Sequence, residues 1–278
     1  MKIAVQKSDR ISNGFLNLMA RCGFRTSDIQ SKLYYKFSEL PIELYFIRGS
    51  DMTTLLQSNF DVAVLGKDSF LEYNLSDGFN VAKELGFAKC RMSFAGRGEV
   101  NKIADLNGKK IATAYSNILT NYAQENNLQI EIVEMNGSVE SAIELGIAEV
   151  IFDIVQTGST LLQHGLKEYF KVKDLQSVLI TKDGFSSEIF DKLLFRINAV
   201  INGAACKYLM FNIEKSLLDN VLKMAPFGKS PTILQLANSN YCAVHTMCLE
   251  SEIWRVAEDL QKVGAEDILV TDVDLRFL

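Results

Sequence analysis

Val150-Ile-Phe-Asp-Ile-Val-Gln-Thr-Gly-Ser-Thr-Leu-Leu162 reads as an apolar strand ending near Asp153 and Val155, then a Thr-Gly-Ser-Thr turn that enters a short helix. The same strand–turn–helix grammar runs upstream of it. Short apolar segments at Ile3–Val5, Glu43–Ile47, Val62–Leu65, Val81–Leu85, Met92–Ala95, Lys110–Thr113 and Ile130–Val133 read as strands. Helical spacing predicts helices over Met52–Gln57, Ile118–Asn126 and Val139–Leu145. Phe15, Leu18, Met19 and Cys22 fall on one face of a further helix that Gly23 stops. Strand–helix alternation of this kind predicts an α/β chain with parallel or mixed sheets covered by helices, and two strand sets predict two lobes with a cleft between them.

Downstream, Ile189, Leu193, Ile197 and Val200 share one face of a helix over Ile189–Asn202, and Gly203-Ala204-Ala205 breaks the pattern. The tail beyond this break reads strand (Lys207–Ile213), helix (Leu217–Met224), strand (Thr232–Leu236), strand (Cys242–Leu249), helix (Ile253–Val263) and strand (Asp267–Thr271). A βαββαβ order is that of a small ferredoxin-like unit. The expected division is therefore a first lobe over 1–90, a second lobe over 91–175, a return segment over about 176–203 that rejoins the first lobe, and the small domain over 204–278. A unit appended in this way suits ligand sensing or assembly.

Composition narrows the function. The 278 residues carry 29 basic and 34 acidic side chains, a net charge of −5, which argues against a nucleic-acid backbone binder. Apolar runs such as Ile147–Val150 fall far short of the ~20 residues a membrane span needs. The N-terminal Met-Lys-Ile-Ala-Val-Gln-Lys-Ser offers no signal-peptide h-region, and five scattered cysteines without a CxxC pair read as reduced thiols, so a cytoplasmic location is expected. His164 and His245 are the sole histidines, which leaves little for a His-based metal centre or a Ser-His-Asp triad.

Any anion site must then be a local arrangement of donors. In the Thr157–Thr160 turn, Gly158 lets the backbone curl so that successive N–H groups converge, Thr157, Ser159 and Thr160 add hydroxyls, and the helix start adds its positive dipole end. A monoester phosphate fits that set; a plain N-capped helix would use the same residues. The loop Gln6-Lys7-Ser8-Asp9-Arg10 comes after the first strand, at the end where open α/β sheets bind ligands, and its Lys7 and Arg10 either face a polyphosphate or lie in a solvated turn. Further candidates are Lys89 and Arg91, read as one strand face, and Tyr115, an aromatic able to stack on a base or ribose. Asn136-Gly-Ser-Val-Glu140 reads as a turn with a capping pattern.

Taken in order, Ala-Val-Gln-Lys-Ser-Asp-Arg-Ile, Gly66-Lys-Asp, Gly-Phe-Ala-Lys-Cys-Arg, Lys-Ile-Ala-Thr-Ala-Tyr, Asn-Gly-Ser-Val-Glu and Asp-Ile-Val-Gln-Thr-Gly-Ser-Thr-Leu resemble the ATP phosphoribosyltransferases, which open histidine biosynthesis. In the tail, Lys207-Tyr208, Ser230-Pro-Thr-Ile233 and Gly264-Ala265 with Ile268-Leu269-Val270 resemble the regulatory domain of the long, hexamer-forming version. The resemblance implies a bilobal catalytic body similar to periplasmic binding proteins, followed by an ACT-like βαββαβ domain. It implies a reaction joining ATP, through adenine N1, to phosphoribosyl pyrophosphate, with Mg²⁺ carried on the pyrophosphate. It places phosphoribosyl pyrophosphate on Asp153, Thr157, Gly158, Ser159, Thr160 and Leu161, the nucleotide near Arg10, Lys89, Arg91 and Tyr115, and catalytic charge on Lys7 and Arg10. Histidine is implied as an inhibitor near Thr232, and a homo-oligomer, dimer or hexamer, as the assembly.

The sequence departs from the family pattern at several points. Asp9 stands where the first loop usually has Gly, Ser116 where Pro is usual, His164 where Asn is usual, Gln235 where Pro is frequent, and Ala88 at a common Gly position. An acid between Lys7 and Arg10 opens an alternative: a bilobal nucleotide-binding regulatory paralogue that has lost turnover.

Overall fold

A computed structural model describes residues 1–27, 29, 33–224 and 230–278. Its first sheet is built from the apolar segments at the start of the chain: β1 (Lys2–Gln6), α1 (Asp9–Arg21), β2 (Tyr34–Lys36), β3 (Glu43–Ile47), α2 (Gly49–Asn59), β4 (Val62–Gly66), α3 (Lys67–Glu72) and β5 (Phe79–Glu84). Crossover helices make β1 parallel to both β3 and β4, and every residue of β4 is buried, as a central parallel strand requires. Leu56, Phe60, Leu65, Phe70 and Phe79 fill one face of this sheet.

The second sheet contains β6 (Cys90–Gly96), β7 (Lys110–Thr113), β8 (Glu131–Glu134), β9 (Val150–Val155) and β10 (Lys167–Leu175), with α4 (Ser116–Glu125), α5 (Ser141–Glu144) and α6 (Ser159–Gln163) between them. Its strand order is β10-β6-β9-β7-β8. Phe94 and Phe152 meet at 4.7 Å between ring centroids on one face, and Val139, Ala142, Ile151 and Leu161 pack on the other. The chain then returns: β11 (Ser177–Lys182) inserts between β4 and β5, antiparallel to both, to complete the six-stranded first sheet β2-β3-β1-β4-β11-β5. The two crossing segments are tied together, Leu85 N–H to Ser177 O (3.0 Å) and Ser177 N–H to Phe87 O (3.1 Å). Two lobes joined by two adjacent crossings are the bilobal body expected from the sequence.

Both sheets belong to one compact unit, Met1–Asn17 with Arg25–Ile189; the second unit is Leu18–Phe24 with Phe190–Leu278. The second unit holds α7 (Glu188–Ala204) from Phe190 onward and a four-stranded antiparallel sheet. That sheet comprises β12 (Cys206–Glu214), β13 (Thr232–Gln235), β14 (Tyr241–Leu249) and β15 (Glu266–Asp272), covered by α8 (Leu218–Met224) and α9 (Ile253–Val263). Its order β13-β14-β12-β15 is the expected βαββαβ ferredoxin-like arrangement. Phe211, Val221, Val244, Val256 and Leu260 form its core.

The structure differs from the sequence reading at several elements. The helix expected over Ile189–Asn202 continues to Ala204, because Gly203 lets the C-terminal tail approach: a Cβ there would lie 2.6 Å from Val273 O. Arg276 N–H then bonds Ala199 O (2.9 Å), which places most of this helix with the small sheet rather than with the return to the first lobe. The helix expected over Val139–Leu145 shrinks to Ser141–Glu144, with Gly146 at φ +67 closing it. Strands β10 and β11 and the six-residue α3 had no expectation of their own.

Candidate functional site

Strand β9 ends at Val155, and the turn behind it is set by Gly158, whose φ of +83 is the left-handed conformation that glycine adopts without cost. The Thr157 hydroxyl lies 3.0 Å from the Ser159 hydroxyl and accepts the Ser159 N–H. The first i→i−4 bond of α6 runs from Leu162 N–H to Gly158 O (3.1 Å), so the N–H groups of Thr160 and Leu161 stand ahead of the helical ladder. Leu161 itself is buried core, and its contribution to a ligand is its backbone. This turn lines a cavity of about 230 Å³ whose other walls include Ser93, Glu140 and Asp153.

Asp153 lies deep in that wall. Burial pushes its carboxyl up to about 6; Glu140 and Asp68 push the same way, against the Ile154 N–H (2.7 Å) and the Arg10 guanidinium. The cavity therefore carries donors at the turn and carboxylates opposite.

A second cavity, of about 310 Å³, lies between the two lobes of the first unit. Gln6, Ser8 and Arg10 from the first loop line it together with Gly66, Asp68, Glu72 and Tyr115. Gln6 fastens β4 from below, accepting Gly66 N–H (2.9 Å) and donating to Ser69 Oγ (3.2 Å). Gly66 is needed for space: a Cβ there would sit on the Asp68 carboxylate. Tyr115 donates its hydroxyl to Asp68 Oδ2 (3.2 Å), and burial beside Asp68 and Asp153 raises its phenol strongly. Arg10 lines both cavities, so one guanidinium serves the boundary between them.

The residues singled out in the sequence thus separate. Asp153, Thr157, Gly158, Ser159, Thr160 and Leu161 share one cavity, Tyr115 lines the other, and Arg10 joins the two. Lys7 and Lys89 are exposed and line neither. Arg91 lines neither cavity: its guanidinium bonds Glu168 and Gln156 O (3.0 Å), beside the Thr157–Thr160 turn. Asp9 is the first residue of α1, exposed and outside both linings, where an acid suits the helix dipole; Ser8 Oγ caps the same end through Ile11 N–H (3.4 Å). Thr232 is exposed at the start of edge strand β13, in register with His245, whose Nδ1 lies 3.3 Å from the Tyr208 hydroxyl.

Gln6 and Asp68 stand in quoted motifs, the first loop and Gly66-Lys-Asp, without a role assigned to either, and Glu72 carries no sequence signal. Asp68 and Glu72 are buried acids on α3, too short a helix to show a periodic pattern. Among the described residues no group of three or more His, Cys, Asp or Glu could hold a metal ion, and no helix is long and apolar enough to cross a membrane.

Residues 48–199 match the family described as HisG, ATP phosphoribosyltransferase, and residues 204–274 match HisG, C-terminal domain. The chain is 35% identical over 280 residues to an ATP phosphoribosyltransferase of Bacteroides thetaiotaomicron, covering 99% of this chain and 98% of that protein. It is equally similar to one of Cytophaga hutchinsonii, covering 99% and 97%. A solved ATP phosphoribosyl transferase (HisG:HisZ) complex from Thermotoga maritima superposes with a TM-score of 0.57 at 22% identity, over 71% of this chain and 96% of that one.

Proposed function

The chain belongs to the ATP phosphoribosyltransferase family, and from that premise we propose how its two cavities divide the work. The enzyme carries out the first step of histidine biosynthesis, ATP plus phosphoribosyl pyrophosphate giving N1-(5-phosphoribosyl)-ATP and pyrophosphate. The 5-phosphate sits on the Thr157–Thr160 turn and the Leu161 N–H, where donors and a helix start converge. Ribose hydroxyls donate to Asp153 and Glu140 on the opposite wall. The adenine half of ATP occupies the cavity of Gln6, Asp68 and Tyr115.

In this arrangement adenine N1 meets carbon 1 of the sugar at the boundary the two cavities share. The N1 lone pair forms the new bond while the carbon–oxygen bond to pyrophosphate breaks, its electrons leaving with pyrophosphate. Positive charge develops on the ribosyl carbon, and the carboxylates of Asp153 and Glu140 face it; Arg10 faces the departing anion, and Lys7 and Lys89, exposed outside both linings, add positive charge from further out. No protein nucleophile is required. Magnesium would enter with the substrate pyrophosphate, whose charge it would neutralise; among the described residues no group of three or more His, Cys, Asp or Glu would hold it on the protein itself.

The observation that carries this reading is the pairing of a donor turn with the half-buried carboxylates of Asp153 and Glu140 in one cavity, joined through Arg10 to an aromatic-lined one. Mass analysis of the product from ATP and phosphoribosyl pyrophosphate tests it: a phosphoribosyl adduct of ATP supports the assignment. Unchanged ATP would favour the regulatory paralogue, a reading that nothing in the site supports.

The βαββαβ unit is read as the regulatory and assembly module. Both edge strands expose apolar side chains, Ile233 and Leu234 on β13, Leu269 and Val270 on β15, which suits pairing between copies as a dimer or hexamer. Histidine is proposed to bind near Thr232 and inhibit from there. Activity measured against histidine concentration checks this, and a flat response up to millimolar levels would leave assembly as the sole role. An enzyme drawing on ATP and phosphoribosyl pyrophosphate is placed in the cytoplasm, with no nucleic acid or membrane partner.

A further inference from the structure

Helix α4 begins without a cap of its own: the preceding Tyr115 makes no capping hydrogen bond through its side chain. The first N–H groups of a helix need acceptors, and burying them unpaired is costly. Here the acceptor comes from the other lobe. The Glu72 carboxylate, 7% exposed at the end of α3, takes Asn117 N–H on Oε1 (3.0 Å) and Ile118 N–H on Oε2 (3.1 Å). The Asn117 side-chain amide completes the clasp by donating to Glu72 O (2.9 Å). One turn earlier on α3, Asp68 accepts the Tyr115 hydroxyl. Between them, Leu71 packs against the cores of both lobes. Three residues of one short helix thus grip the Tyr115–Ile118 turn by the Tyr115 hydroxyl, two backbone amides, the Asn117 side-chain amide and an apolar contact.

We propose that Glu72 is a positioning residue for the nucleotide half of the reaction. By capping α4 from across the lobe boundary, it holds Tyr115 at the cavity wall and sets the lobe spacing that an adenine ring requires. Glu72 stands in the cavity wall, but both of its oxygens are engaged by α4, and the role assigned to it is to act through Tyr115 and the interlobe width. The proposal rests on the reading that the Tyr115 cavity takes ATP.

The test is a KM comparison by pyrophosphate release. Glu72→Gln keeps the shape but turns an amide NH₂ toward one of the two N–H groups. The KM for ATP should rise about tenfold, the low end of what a lost charge-assisted hydrogen bond is worth, while the KM for phosphoribosyl pyrophosphate stays within about twofold. A cap that served stability alone would lower the folded fraction, and with it the apparent kcat, and leave both KM values in place. Asn117→Ala, at an exposed residue, removes one strand of the clasp and should move the ATP KM the same way by about two- to threefold. It decides the matter if Glu72→Gln fails to fold. Tyr115→Ala separates the two levels. If it raises the ATP KM while the Glu72 and Asn117 variants do not, the positioning role is overturned and the nucleotide assignment stands. If none of the three raises it, both fall.

Discussion

Arg91 on β6 and Glu168 on β10 meet diagonally across the ladder in a two-pronged ion pair, with Nε at 2.6 Å from Oε1, and the guanidinium reaches on to Gln156 O (3.0 Å). Glu168 also accepts the buried Ser93 hydroxyl (2.7 Å). The pair therefore holds the shoulder of the Thr157–Thr160 turn from outside the cavity. Glu168→Gln should raise the KM for phosphoribosyl pyrophosphate several-fold and leave the ATP KM alone. Arg91 holds the Glu168 carboxyl below the usual carboxylate range. Its stabilisation is present above the ordinary glutamate pKa of about 4.3 and fades as pH falls. The parent and Glu168→Gln should thus differ in melting temperature at pH 7 and converge in acid.

Gly158→Val acts through the backbone. A Cβ at this position would meet nothing nearer than 4.0 Å, so space is available, but φ +83 is strained for any residue with a side chain and most of all for a β-branched one. The loop should therefore relax to another conformation. Isothermal calorimetry should show no detectable binding of phosphoribosyl pyrophosphate, with the circular-dichroism spectrum of the parent retained. Parent-like affinity would remove this turn from the phosphate site.

Asp153 makes opposite predictions for stability and activity. Its carboxyl titrates at about 6 in the folded chain against about 3.9 unfolded, so between those values the folded state holds the extra proton and stability falls as pH rises. Asp153→Asn should be more stable than the parent by about 2 kcal/mol at pH 7.5, with the advantage gone below pH 4. The same change should cut turnover, because a neutral amide neither accepts two hydroxyls nor faces developing positive charge. In the parent, kcat/KM for phosphoribosyl pyrophosphate should show an acid limb near pH 6 that the variant lacks.

Ala88 sits at φ +52 in the crossing between the lobes, a conformation that costs an alanine roughly 1–2 kcal/mol. Ala88→Gly relieves it while giving back part of the gain through a freer unfolded chain. A differential-scanning experiment should find the variant more stable by up to about 1 kcal/mol. A lower melting temperature would mean that the alanine methyl contributes packing worth more than the strain.

The strand-to-turn-to-helix passage at Val150–Leu162 was legible because an apolar strand and a run of small polar residues each signal locally. The tail was legible for the same reason, with apolar periods switching between two and 3.6 residues. The return strands β10 and β11 were not. Lys167–Leu175 is an edge strand at one end of its sheet, so its exposed, charged residues dilute the apolar signal, and Ser177–Lys182 is defined by where it inserts. The paired acids escaped for a related reason. Glu72 finds its backbone partners 45 and 46 positions away and Glu168 finds Arg91 at 77, so their roles are pairings made only when the sheets close.

Arg10 serves both cavities, and initial rates of pyrophosphate release with ATP and phosphoribosyl pyrophosphate varied in turn test its role at their boundary. In Arg10→Gln both KM values should rise at least tenfold, because one lost guanidinium charge is felt on either side of the boundary. A variant in which only one KM moves, or neither, would contradict a shared cation at the point where the two substrates meet.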